Sequence, residues 1–285
     1  MDKIGQVSLS TITLFGKTIE FNPVMFIMTW LIMGLLVLTS ILVVKKLSMV
    51  PGKGQSIFEL IIQFFEDIMI STMGKEEGRR LLPLIVSIFI FILASNWIGI
   101  LPNIFHFFGA IIAGIHYLFS PEAVTITVEG ITNISIAPNT STWYTPLFKF
   151  PAFEEPTKFL STDLGIALLV FLVCHITAIK NKGFITYLRG YIDDPFPMKG
   201  IWTLFFWINP FFYLNIVGQI ANVVSHSFRL FGNIFGGGII IIIVSELLRY
   251  FLIPVGLFAF FGLFAGIIQA FVFSMLAVSY INQLQ

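Results

Sequence analysis

Six polar side chains recur along the C-terminal third of the chain: Asn215, Gln219, Asn222, His226, Arg229 and Asn233, at steps of four, three, four, three and four. On an α-helix this spacing puts all six on one stripe. The surrounding sequence is apolar. It includes "SHSFRLFGNIFGGGIIIIIVSEL" at 225–247, and between Gly200 and Gln285 the full charges are Arg229, Glu246 and Arg249 alone. In lipid each polar group needs a partner or a wet cavity, so the stripe is expected to face protein or a water path. Interhelical hydrogen bonding would account for the amides, but a centrally placed arginine costs from about 3 to beyond about 10 kcal/mol. Glu246 follows Arg229 by 17 residues, about 25 Å along a continuous helix, too far to pair directly. Arg229 therefore meets an acid from elsewhere in the chain or from another protein. The remaining internal acids lie almost all in loops, which favours a second protein.

Small residues accompany the stripe. Gly236, Gly237 and Gly238 follow it, and Gly262, Gly266 and Gln269 lie at four-then-three spacing near the C-terminus. Missing side chains let helices approach closely, so both sets read as helix-packing surfaces, with Gln269 a polar end that can face Arg229 or Asn233. Glu246 and Arg249 are i,i+3 neighbours and read either as an interfacial ion pair or as part of a channel mouth. His175 and Cys174 read as packed residues, and Asn96 as a cap or a bridge between helices. The sequence contains no HExxH, no nucleotide-binding glycine loop and no paired intramembrane aspartates, so no metal, cofactor or covalent chemistry is expected.

The elements that position these residues follow from composition. Of 285 residues 57% are hydrophobic and 11% charged, where a soluble domain carries about 25% charged residues. This is an all-α integral membrane protein, read as a single membrane domain over 1–285. One cysteine excludes an internal disulfide and any multi-cysteine metal site. The N-terminus does not read as a signal peptide, because its first apolar run is too long and lacks a small-residue cleavage site. About five spans are expected: 24–44, 81–101, 162–180 (capped by Thr162 and Asp163), and a long tilted hairpin of 200–247 and 251–283. Between the first two, residues 54–80 read as an amphipathic interfacial helix, with Ile57, Leu60, Ile61, Phe64, Phe65 and Ile68 at helical spacing. Lys45, Lys46, Lys53, Lys75, Arg79 and Arg80, then Lys180, Lys182, Arg189 and Lys199, mark cytoplasmic segments. The N-terminus and the 103–159 loop are then outside and the C-terminus is cytoplasmic. Within that loop, 105–119 reads as a re-entrant or interfacial helix, and "VTITVEGITNISI" as a β-hairpin around Glu129-Gly130.

"SFRLFGNIFGGG" resembles the signature of subunit a of F-type ATP synthase, the membrane stator subunit. "LLPLIVSIFIFILASNWIGILP", "STDLGIALLVFLVCHITAIKNKG" and "GLFAGIIQAFVFSMLAVSYI" agree with it in order and spacing. The resemblance implies a non-catalytic subunit of a rotary enzyme in a bacterial plasma membrane. Its partners would be a ring of c subunits and a b-type peripheral stalk. Arg229 takes the place of the family's essential arginine; Ser225, Asn233 and Gln269 match positions near it. A ring carboxylate meeting a permanent positive charge is held ionised, and arginine does not relay protons past itself. Two half-channels then feed H⁺ or Na⁺ to and from the ring, with Gln219, Asn222 and His226 expected in the cytoplasmic one. The chain also departs from the pattern. Gln219 and Asn222 stand where many relatives have Glu and Lys, and Gly238 and Gly262 where an acid and a histidine are usual. Glu246 is then the carboxylate expected at the outer mouth, with water spanning the gap, which suits Na⁺ as well as H⁺. A secondary transporter or channel acting on its own is the alternative; it calls for internal repeats, and none is visible.

Overall fold

The computed structural model describes residues 10–14, 17–101, 103–129, 133–138, 142–150, 153–193, 210–248, 256–257 and 259–284. Among the described residues five helices are long and apolar enough to cross a membrane: Pro23–Val44, Lys75–Ile98, Leu160–Lys182, Pro210–Val244 and Phe260–Leu284. In chain order the elements are β1 (Ser10–Leu14), β2 (Lys17–Phe21), α1 (Pro23–Val44), α2 (Lys53–Met73), α3 (Lys75–Ile98), α4 (Ile104–Phe119), β3 (Val124–Glu129), β4 (Asn133–Pro138), α5 (Thr145–Lys149), a 3₁₀ turn (Pro156–Lys158), α6 (Leu160–Lys182), α7 (Phe184–Asp193), α8 (Pro210–Leu248) and α9 (Gly266–Leu284). A π-helical stretch, Phe260–Ala265, leads into α9. The expected helix starts at 200–209, the residues 251–255, the Glu129-Gly130 turn at Gly130, and Arg249 lie outside the described residues, as does the side chain of Glu246.

Besides the helices, the described residues form two β-hairpins. β3 and β4 pair antiparallel with Glu129 opposite Asn133, in the stretch whose alternation suggested a hairpin. β1 and β2 also pair, Leu14 opposite Lys17. The sequence reading placed no strand there, although Thr11, Ile12, Thr13, Thr18 and Ile19 supply the β-branched residues a strand favours.

The chain divides into two compact units, residues 1–28 with 98–154, and 29–97 with 155–285. In the first, α4 packs on α5 and the β3–β4 hairpin around Ala113, Val124 and Tyr144. Asn103 caps α4, its side chain accepting from His106 N, and the Tyr144 hydroxyl lies 2.7 Å from His116 Nδ1.

The second unit holds the main core, built from Phe65 and Met69 of α2, Ile85, Phe89 and Ile92 of α3, Val170 and Cys174 of α6, Leu230 of α8, and Phe273, Ala277 and Ile281 of α9. The amphipathic helix ends at Met73, not at residue 80. Gly74, at φ +81° and ψ 168°, occupies a region closed to other residues, and α3 restarts at Lys75 with Glu76 and Glu77 in its first turn, where the helix dipole favours acids. The Phe65 ring packs tilted against Phe89 at 4.9 Å and Phe64 against Phe271 at 5.8 Å, while Ile57 and Leu60 stay exposed. α2 thus seats one edge on protein and offers the rest to an interface.

Candidate functional site

α8 is uninterrupted for 39 residues, with Pro210 at its first position, where a missing N–H costs nothing. A helix of that length runs about 58 Å, twice the hydrocarbon thickness of about 30 Å, so it crosses steeply tilted or extends well beyond the bilayer core.

The polar stripe on α8 divides into two faces. Asn215 donates from Nδ2 to the Tyr191 carbonyl of α7, 3.2 Å away. Gln219, Asn222 and His226 line a narrow cleft, completed by Ala167, Val170, Phe171 and Cys174 of α6 and by Tyr280 and Leu284 of α9. Arg229 is exposed and makes no salt bridge or side-chain hydrogen bond among the described residues. Exposed Val224, Phe228 and Phe235 flank it along α8. The divergence has a simple cause: a step of three turns a helix by 300°, so Arg229 is rotated away from buried His226 toward the outer surface. Ser225 is likewise exposed and Asn233 half-buried.

Two contacts set the antiparallel register of α8 against the chain that follows. The His226 ring, 3% exposed, donates from Nε2 to the Phe273 carbonyl at 3.2 Å. A Cβ on Gly237 would stand 3.0 Å from the Phe261 ring. Interpolating between them puts Gln269 opposite Arg229 and Leu230. Gln269 is 7% exposed, and its Nε2 has no hydrogen-bond partner among the described residues. Of the three consecutive glycines, Gly237 alone makes a close approach; nothing comes within 4 Å of a Cβ at Gly236 or Gly238. Gly262 lies half-buried in the π-helical stretch. Gly266 packs not on α8 but on α3, where a Cβ would meet Asn96 Cβ at 3.1 Å.

Asn96 is the bridge that close approach permits. It donates from Nδ2 to the Gly266 carbonyl at 3.1 Å and accepts at Oδ1 from the Thr157 hydroxyl at 2.8 Å. Thr157, Ser95 and Asp163 are wholly buried beside these elements. The sequence reading missed the first two, and took Asp163 for a cap of α6. Phe159 holds the cap position instead, and no side chain caps the helix. The available signal was an aspartate inside an apolar span.

At the N-terminal end of α8 the Tyr187 hydroxyl joins His175 Nδ1, 2.7 Å away, to the Tyr191 hydroxyl, 2.8 Å away. Burial, with the bond to Tyr187, pushes the Tyr191 hydroxyl above its ordinary value, so it stays neutral. His175 is a packed residue, its ring edge-on to Phe171 at 3.9 Å. Among the described residues no three His, Cys, Asp or Glu side chains converge to hold a metal ion.

The chain matches the family model of the ATP synthase A chain over residues 26–282. It is 31% identical to ATP synthase subunit a of Syntrophobacter fumaroxidans over 253 residues, covering 88% of this chain and 80% of the relative. The corresponding protein of Geotalea daltonii is 30% identical over 255 residues, 89% and 84% of the two chains. That of Moorella thermoacetica is 30% identical over 254 residues, 89% and 86%.

Proposed function

This chain belongs to the ATP synthase A chain family, the non-catalytic, multi-pass membrane subunit of F-type ATP synthases, and we propose that Arg229 is the fixed charge through which it couples ion flow to rotation of the c-subunit ring. The observation that carries this reading is an exposed guanidinium, unpartnered among the described residues, flanked by exposed apolar side chains on the longest helix. Such a charge calls for an anion from outside the chain. A ring carboxylate fits: it crosses lipid neutralised by its ion and is held ionised when it faces Arg229. Because arginine keeps its proton at any working pH, it separates the two half-channels.

The cleft of Gln219, Asn222 and His226 is the inner half-channel in this proposal. Half-buried Asn233 continues the polar surface at the ring, with Gln269 buried behind it level with Arg229, and Glu246, in the last turn of α8, provides the outer mouth, where its field concentrates cations. The coupling ion is H⁺ or Na⁺. Lysine and arginine flank the α1–α2 connection and the end of α6, which puts those segments in the cytoplasm, the N-terminus outside and the C-terminus inside, in a bacterial plasma membrane. The b-type stalk holds the subunit against the turning ring.

Two-sided accessibility tests the arrangement. Cysteines at 219 and 222 should react with an impermeant thiol reagent applied from the cytoplasmic face, and a cysteine at 246 only from the opposite face. The same side for all three would overturn the two-half-channel assignment.

A further inference from the structure

Asp163 has a position the stator reading does not use. Its side chain is 0% exposed, and neither carboxylate oxygen has a hydrogen-bond partner among the described residues. It is the one Asp or Glu buried among the described residues. On α6 it shares a buried face with Ala167, Val170 and Cys174, three residues that continue into the cleft of Gln219 and His226.

Complementary groups lie on the elements around it. Ser95 Oγ of α3 and Gln269 Nε2 of α9 are buried donors with no acceptor among the described residues. Ser95 adjoins Asn96, and Gln269 is one turn from Gly266, so the Thr157–Asn96–Gly266 hydrogen bonds hold these donors and the start of α6 in one layer. An unpaired buried polar group is costly, and an unpaired buried carboxylate more so. Orphaned donors on helices that these bonds tie to the start of α6, where the carboxylate is itself orphaned, mark a layer built for something other than stability.

Among the described residues no buried cation offsets Asp163. α9 carries no charged residue from Gly266 to Leu284. The charges of α3 (Lys75, Glu76, Glu77, Arg79 and Arg80) fall in its first two turns, about 20 Å from Ser95 along the axis. Lys158 on the 3₁₀ turn is exposed, and so is Arg229 on α8. Lys180 and Lys182 lie at the far end of α6. Of the other titratable groups on these elements, His226, Cys174 and Tyr280 border the cleft and His175 bonds to Tyr187. The dipole at the start of α6 gives Asp163 partial compensation.

We infer that Asp163, with Ser95, Asn96 and Gln269 around it, is the ion-exchanging carboxylate of the outer half-channel, filling the relay role that Gly238 and Gly262 cannot perform. The inference rests on the stator reading above. Its ligand is a monovalent cation, H⁺ or Na⁺, held by the carboxylate and by neutral oxygens such as Ser95 Oγ and Gln269 Oε1. One cation enters from the outer water and one leaves to the ring carboxylate; no other bond is made or broken. With a carboxylate at this depth the outer path is not a purely water-filled gap, so the absence of acids at Gly238 and Gly262 does not favour Na⁺.

The test uses the reconstituted holoenzyme. ATP synthesis driven by an imposed ion gradient is measured for Asp163→Asn, Asp163→Glu and Arg229→Ala, across outer pH at fixed Na⁺ and across Na⁺ at fixed pH, with subunit content as the check on assembly. At equal assembly Asp163→Asn should lower the rate about tenfold or more. Asp163→Glu should retain synthesis with a shifted half-maximal outer pH for a proton enzyme, or a shifted half-maximal Na⁺ for a sodium enzyme. Adding Gln269→Glu to Asp163→Asn should recover part of the rate, since it returns a carboxylate to the layer. A wild-type rate and ion dependence in Asp163→Asn overturns the inference. So does a rate loss in both Asp163 variants with unchanged ion dependence, which marks a packing role. If Asp163→Asn does not assemble, Asp163→Glu decides: a shifted dependence supports the relay and an unchanged one overturns it. An inactive Arg229→Ala beside an unaffected Asp163→Asn removes the relay and leaves the stator reading, whereas an active Arg229→Ala removes the stator reading itself.

Discussion

The His226 ring on α8 donates from Nε2 to the Phe273 carbonyl on α9, 3.2 Å away. A carbonyl only accepts, so Nε2 carries the proton and Nδ1, which has no partner among the described residues, presents a lone pair. The ring also meets the edges of Phe273 at 4.0 Å and Tyr280 at 5.2 Å. One residue thereby sets the register that brings Gln269 level with Arg229. His226→Ala should lower the stability of the subunit by about 2 kcal/mol, the sum of a membrane hydrogen bond and lost packing. His226→Gln, which keeps a donor, should lose less. Thermal release of the subunit from detergent-solubilised complex measures both; equal loss in the two variants would argue that packing alone matters.

The three consecutive glycines should separate on substitution. A Cβ at Gly237 stands 3.0 Å from the Phe261 ring, while Gly236 and Gly238 have open space. Gly237→Val should reduce the amount of folded subunit in the membrane. Gly236→Ala and Gly238→Ala should leave it unchanged or raise it, since replacing helical glycine gains about 1 kcal/mol. A uniform response of all three would contradict the α8–Phe261 contact.

The cleft predicts a labelling pattern. In a Cys174→Ser background, needed because Cys174 itself borders the cleft, cysteines at 219 and 222 should label faster with a water-soluble thiol reagent than one at Phe228. Phe228 is 53% exposed, but its surface belongs to the ring or lipid in this account. Equal rates at the three positions would count against a wet cleft.

Glu246→Gln separates a channel mouth from a structural ion pair. If Glu246 concentrates cations for the outer half-channel, the variant should need a higher Na⁺ concentration, or a lower outer pH, for half-maximal ATP synthesis. An unchanged dependence would leave Glu246 a structural role.

Much of this could be read from the sequence, and the residues show why the rest could not. The lengths of apolar runs determine spanning helices almost unaided, because lipid leaves the backbone no alternative. Arg229 announced itself as a lone charge in such a run. The stripe was less tractable. Steps of four and three keep Arg229 within about 60° of His226 on one face, and only the neighbouring helices fix where along that face the core ends and the exposed surface begins. Gly266 was assigned to the hairpin because it shares a face with Gln269, yet its close contact is with Asn96, 170 positions away, a pairing no local pattern encodes. Asp163 fitted a capping rule, which concealed its burial. β1 and β2 went unread because their few residues sit beside a far stronger apolar signal.

The proposed coupling depends most directly on Arg229. Holoenzyme carrying Arg229→Ala, confirmed to contain its full set of subunits, is reconstituted into vesicles, and ATP-driven ion pumping is recorded beside the wild type. The account predicts pumping at the level of vesicles lacking the complex, with Arg229→Lys a poor substitute because a desolvated ammonium can give up its proton. Pumping by the alanine variant at near the wild-type rate would contradict it.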